Sequence, residues 1–141
     1  HYPRLQVVVL DRPEVIEHTA QQQPNCRIDF RPVDLFQPWN VEADAVVMAR
    51  ILHDWDNSKA IELLRNARSA LPTGGRIFVV EMLVEEDTVA GSLCDLHLLM
   101  VTGGRERTVR EYQHLFDAAG FSLETIRHMP ALPSIIVGVA I

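Results

Sequence analysis

His53 stands in the pentapeptide Leu52-His53-Asp54-Trp55-Asp56, directly after a valine-rich apolar run and directly before a strongly helical stretch. An imidazole with an ordinary pKa of about 6.5 gains and loses a proton near neutrality, which suits general acid–base chemistry. The position equally suits a helix-start residue or a satisfied structural histidine, and place in the chain alone leaves these readings level. Carboxylates bear on the choice. Asp11, Asp34 and Glu81 each close an apolar run, and Glu106 follows the glycine pair of Gly103-Gly104-Arg105-Glu106-Arg107-Thr108. A carboxylate bonded to an imidazole fixes its tautomer and stabilises the imidazolium, and a carboxylate at a strand end bonds ligand hydroxyls or caps the next turn. The local alternatives stay open. Asp11 precedes Pro13 as a helix-start residue would, Asp34 could only cap a turn, and Glu106 could pair with Arg105 or Arg107 on a solvated loop. Asp54 is read as the cap of the helix that begins near Asn57. His1, His18, His97, His114 and His128 show no paired ligand spacing, and Cys26 and Cys94 form no CxxC, so no metal site is expected.

The elements that must position these residues follow from period and punctuation. Apolar or alternating runs predict strands over 5–10, 27–33, 43–49, 76–82, 121–127 and 134–141. Helical spacing predicts helices from Pro13 to about Gln22 and over 57–71, 92–101 and 109–119. Pro72-Thr73-Gly74-Gly75 stops the second of these, and Thr108 and Gly120 bracket the last. Strands alternating with helices and closing on two strands predict an α/β fold with a mostly parallel sheet, helices on both faces and a terminal antiparallel hairpin. In such sheets ligands bind outside the carboxyl ends of the strands, where Asp11, Asp34, His53 and Glu81 fall.

The 141 residues are one domain's worth of chain, and 48% hydrophobic against 23% charged residues gives enough apolar surface for a buried core, which excludes disorder. With 13 basic against 19 acidic residues and a formal net charge of −6, no basic stripe exists for a phosphate backbone, so nucleic acid is not an expected partner. No apolar run approaches the roughly 18 residues of a membrane span. The two separated cysteines suit a reducing compartment, and the expectation is a cytoplasmic protein without membrane contact.

Five segments resemble one family in its order and spacing: VVLDRPEVIE (8–17), DLF (34–36), ADAVVMARILHDWDN (43–57), LPTGGRIFVVE (71–81) and GGRERTVREYQHLFDAAGF (103–121). They resemble the C-terminal catalytic region of the S-adenosylmethionine-dependent small-molecule O-methyltransferases, which include plant phenylpropanoid and flavonoid enzymes and bacterial polyketide-tailoring enzymes. The LHDWD and GGRERT pair is the specific part. The resemblance implies a class I methyltransferase, Rossmann-like sheet. It also implies that Asp11 holds the cofactor ribose, that Asp34 and Leu35 flank its adenine, and that His53 is the catalytic base, flanked and oriented by Glu81 and Glu106. Ala49, where many plant members carry a lysine near the adenine, and Asp54 count with the cofactor-binding positions.

A neutral phenol, with a pKa of about 10, is a poor nucleophile, and a base that takes its proton contributes about 10²- to 10⁴-fold. The implied acceptor is a phenolic hydroxyl of an aromatic or polyketide secondary metabolite. The family's glycine-rich loop and first strand are expected upstream of residue 1, together with a helical dimerisation domain. Residues 1–141 are therefore expected to be the C-terminal part of the catalytic domain of a homodimer, to face a gap between the strands at 5–10 and 43–49, and to be inactive alone. Two competing readings are a nicotinamide-dependent Rossmann oxidoreductase, which also needs an acidic residue ending a second strand, and a non-catalytic module on a methyltransferase fold. GxGxxG is absent, and LHDWD and GGRERT have no place in the first; the retention of His53, Glu81 and Glu106 argues against the second.

Overall fold

All six apolar runs form strands: β1 (Val7–Asp11), β2 (Ile28–Pro32), β3 (Ala45–Ala49), β4 (Arg76–Glu81), β5 (Phe121–His128) and β6 (Ser134–Ala140). Three helices join them, α1 (Pro13–Gln22), α2 (Asn57–Ala70) and α3 (Val109–Ala119), with a single 3-10 turn at Leu52–Asp54. The computed structural model describes residues 2–22, 27–84, 104–129 and 133–141. The helix expected over 92–101, and with it Cys26, Cys94 and His97, lies outside the described residues.

At the starts of β1 and β3, which lie two residues later than expected, a competing hydrogen bond explains the difference. Leu5 donates its N–H to the Tyr2 carbonyl in a turn, so β1 starts only at Val7, and Ala43 donates to the Ala70 carbonyl, so β3 starts at Ala45. The cap of α2 is a correction: Asp56, not Asp54, accepts the Lys59 N–H at 2.9 Å. Asp56 sits one residue before Asn57 in extended backbone, the geometry an N-cap requires.

The chain divides into two units, His1–Trp39 and Asn40–Ile141. In the first, β1 and β2 pair in parallel, Val7 opposite Ile28 and Asp11 opposite Pro32, joined by α1. In the second, the strand order is β3-β4-β6-β5, with β3 parallel to β4 and β6 antiparallel to both of its neighbours. The terminal hairpin thus places one reversed strand among parallel ones. Among the described residues β1 pairs with β2 alone and β3 with β4 alone, so the strands form two sheets.

The core of the second unit follows from the two periods. Helix α2 buries Ala60, Leu63, Leu64 and Ala67, and α3 buries Tyr112, Leu115, Phe116 and Ala119, each set at helical spacing. Strand β4 alternates, so Ile77, Val79 and Glu81 are its buried residues. Gly138 on β6 makes this packing possible: a Cβ there would lie 2.8 Å from the Phe116 ring and 3.0 Å from Ile77 Cγ2. Each fully buried large side chain contributes about 1.5–3 kcal/mol, so Phe116→Ala would cost about 3–5 kcal/mol. At the far end of α3, Gly120 takes φ 85°, a left-handed cap that glycine adopts without steric cost. No described helix is long and apolar enough to cross a membrane.

Candidate active site

The alternation that buries Ile77 and Val79 carries one step further and buries Glu81 at the carboxyl end of β4, where an apolar side chain would be expected. Its carboxylate is satisfied by backbone from a neighbouring segment. Glu81 Oε1 accepts the N–H groups of Ile51 at 3.1 Å, Leu52 at 2.6 Å and His53 at 3.3 Å. Those groups converge because Arg50, just past Ala49 at the end of β3, takes φ 55°, a left-handed conformation that costs a non-glycine residue about 1–3 kcal/mol. The chain reverses there and enters the 3-10 turn Leu52–Asp54. Glu81 Oε2 accepts the Tyr112 hydroxyl from α3. Burial pushes the Tyr112 pKa well above its ordinary value, and the Glu81 charge adds to the rise, so the phenol keeps the proton it donates.

The turn presents a buried imidazole. His53 Nδ1 lies 3.5 Å from Glu106 Oε1, and Nε2 lies 3.7 Å from Asp54 Oδ1. His53 and Glu106 are buried, while the Asp54 side chain on the Nε2 side is 37% exposed. Burial raises the Glu106 pKa above the ordinary carboxylate range, while attraction to His53 and the hydrogen bond between them oppose the rise. Of the two neighbouring arginines, Arg105 pairs with Glu111, and Arg107 is buried in the interior.

Of the three residues implied to act together, His53, Glu81 and Glu106 all meet at this turn, in two different ways. Glu106 faces the imidazole ring, whereas Glu81 touches the backbone N–H groups of the turn. Glu81 thus fixes where His53 stands rather than which nitrogen carries its proton. Asp54 lies beside the ring. Ala49 ends β3, exposed, opposite Val80.

Asp11, Asp34 and Leu35 belong to the first unit. Asp11 and Asp34 lie at the carboxyl end of the parallel pair, linked by the Val33 N–H donating to the Asp11 carbonyl at 2.9 Å. Asp11 Oδ1 accepts the Arg12 N–H at 2.7 Å, and Asp34 Oδ1 accepts the Phe36 N–H at 2.9 Å. Asp34 thus caps a turn, while Asp11 ends β1 and bonds the residue next to it. The half-buried Leu35 accepts the Trp39 indole N–H on its carbonyl at 3.0 Å, which closes the loop after β2.

Sequence reasoning missed Arg107 and Tyr112. Tyr112 had a readable signal, since it shares helical spacing with Leu115, Phe116 and Ala119, and a buried phenol needs a partner. Arg107 had none beyond its place in a charged motif. Its guanidinium, fully buried, donates to the Leu52 carbonyl at 2.7 Å, the Trp55 carbonyl at 2.6 Å and Asn57 Oδ1 at 3.1 Å. Among the described residues no group of three or more His, Cys, Asp and Glu side chains could hold a metal ion.

The chain matches the O-methyltransferase domain family over residues 1–122 and belongs to that family. It is 32% identical over 130 residues to the phenazine O-methyltransferase PhzM of Lysobacter antibioticus, covering 88% of this chain and 38% of that protein. It is 33% identical to flavonoid 4'-O-methyltransferase 5 of Ocimum basilicum, covering 96% of this chain and 41% of the relative. The crystal structure of human N-acetylserotonin methyltransferase in complex with SAM superposes with a TM-score of 0.88 at 35% identity, covering 99% of this chain and 41% of that one. The chain thus spans about two-fifths of the length of these relatives.

Proposed function

We propose that the protein to which this chain belongs transfers a methyl group from S-adenosylmethionine to a hydroxyl, phenolic in the first instance, of a small aromatic or polyketide molecule, with His53 as general base. The observation that carries this reading is the buried His53 ring with Glu106 at Nδ1 and the half-buried Asp54 at Nε2. Family membership supports the reaction class, and relatives named for phenazine, flavonoid and acetylserotonin support the acceptor class.

The chemistry of the donor set fits the cofactor. Ribose hydroxyls are donors, and Asp11 and Asp34 bring two carboxylates to one end of the β1–β2 pair, each held by a backbone N–H that limits its rotation. Asp11 would take the ribose hydroxyls, Asp34 and Leu35 the adenine edge and face, and Ala49 and Asp54 are the further cofactor positions this reading assigns. When bound, S-adenosylmethionine supplies an electrophilic methyl on a sulfonium.

His53 does the proton work. An ionised Glu106 accepts from Nδ1–H, which leaves the Nε2 lone pair to take the acceptor's proton as its oxygen becomes the nucleophile. The imidazolium that results lies between Glu106 and Asp54, whose negative charges stabilise it. Glu81 keeps the turn in place throughout.

The test is methyl transfer by the full natural chain against a panel of phenols and polyketides, with S-adenosylmethionine labelled in its methyl group. Label on a hydroxyl oxygen of the product is the expected outcome. Label found only on nitrogen or carbon, or no cofactor binding by calorimetry, would overturn the reading.

A further inference from the structure

A 3-10 turn of three residues cannot hold a side chain to catalytic tolerance by its own hydrogen bonds, so what fixes His53 must come from outside the turn. Two bodies supply it. On the N–H side, Glu81 gathers the amides of Ile51, Leu52 and His53, and its second oxygen is tied to Tyr112. On the carbonyl side, Arg107 spans Leu52, Trp55 and Asn57, and the Arg105 N–H donates to the His53 carbonyl at 2.8 Å. A negative group thus meets the donors of the turn and a positive group meets its acceptors, the arrangement that complements the peptide dipoles at both ends.

Arg107 and Tyr112 belong to one segment. Thr108 and Glu111 form a capping box between them, the Thr108 hydroxyl accepting the Glu111 N–H and the Glu111 carboxylate accepting the Thr108 N–H at 2.8 Å. That box locks the path from Glu106, which faces the ring, to Tyr112, which reaches Glu81. Arg107 and Tyr112 both have no exposed surface, and their hydrogen bonds go to the Leu52 and Trp55 carbonyls, Asn57 and Glu81.

We propose that Arg107 and Tyr112 are positioning residues, which clamp the His53 turn from its two ends so that the ring meets Glu106 through Nδ1 and presents Nε2 to the acceptor. The planar fork of arginine is required, because a lysine ammonium is a point donor and cannot span three acceptors on two segments. The catalytic consequence rests on the reading of His53 as base; the clamp itself does not.

The test uses the full natural chain labelled with nitrogen-15 at histidine, the His53 signal being the one lost in His53→Gln. The wild-type protein is expected to show a single tautomer with the proton on Nδ1. Arg107→Lys is expected to mix the two tautomers and to lower kcat by about 10²-fold, as for an ångström-scale misplacement of a reacting group, with cofactor affinity unchanged. Tyr112→Phe moves both readouts the same way by less. Should Arg107→Lys fail to fold, Asn57→Ala, at the exposed start of α2, removes one acceptor of the fork without touching the core and carries the same test. A single wild-type tautomer in all of these variants, whatever their melting temperatures, would overturn the proposal and leave Arg107 a purely structural residue. Mixed tautomers together with undiminished methyl transfer, in these variants and in His53→Gln, would leave the clamp standing and overturn the base assignment instead.

Discussion

The carboxylates of the two units use the same chemistry over very different distances along the chain. Asp11 and Asp34 accept an N–H one and two residues away, at the surface or near it, while Glu81 accepts amides 28 to 30 residues away and is 1% exposed. The first pair decorates local turns and keeps its charge near solvent. The second holds two segments together, and its burial makes each lost partner expensive. A rim built on local caps can be rebuilt one residue at a time, whereas a site built on a buried carboxylate stands or falls as a unit.

The contrast predicts an order of effects. Glu81→Ala leaves three amides and the Tyr112 hydroxyl without an acceptor, and should cost about 3–5 kcal/mol, the scale of breaking a buried charged network. Urea denaturation measures this, and a loss below about 1 kcal/mol, the worth of a single ordinary hydrogen bond, would show the carboxylate to be dispensable.

Glu106 sharpens the comparison through pH. Burial raises its pKa in the folded state above the ordinary 4.5, so folding favours its protonated form. The stability it contributes is complete below 4.5 and is lost as pH rises through the folded value. The wild-type protein should therefore lose stability relative to Glu106→Gln as pH climbs above that point. Denaturation curves at a series of pH values give the slope, and a slope of opposite sign would contradict the burial of this carboxylate.

The smallest effects belong to the other rim. Asp11→Ala and Asp34→Ala each remove one local hydrogen bond to a backbone N–H, for about 0.5–1 kcal/mol. Their larger consequence should appear in cofactor affinity, which isothermal calorimetry on the full natural chain reads. Equal affinity in wild type and Asp11→Ala would remove that residue from the ribose site.

The same contrast explains what the sequence made legible. The strands, the bracketing of α3 by Thr108 and Gly120, and the start of α1 at Pro13 depend on residues within a few positions of each other, and all were readable. The cap of α2 was misplaced by two residues because Asp54 and Asp56 offer the same side chain, and only the backbone decides which of them is extended. The motif names Glu81 as flanking and orienting His53, but nothing in a linear motif says whether a carboxylate meets a ring or a backbone. The burial of Glu81 was in fact written in the alternation with Ile77 and Val79. Arg107 was out of reach, since two of its three acceptors are backbone carbonyls more than 50 residues away and carbonyls have no sequence signature.

The central claim is that His53, held against Glu106 on a clamped turn, takes the acceptor's proton. Its most direct test is the single-turnover rate of methyl transfer in the full natural chain with cofactor and acceptor bound, comparing wild type with His53→Gln. A fall of about 10²- to 10⁴-fold in the variant, at unchanged cofactor affinity, is the predicted result. An unchanged single-turnover rate would contradict it.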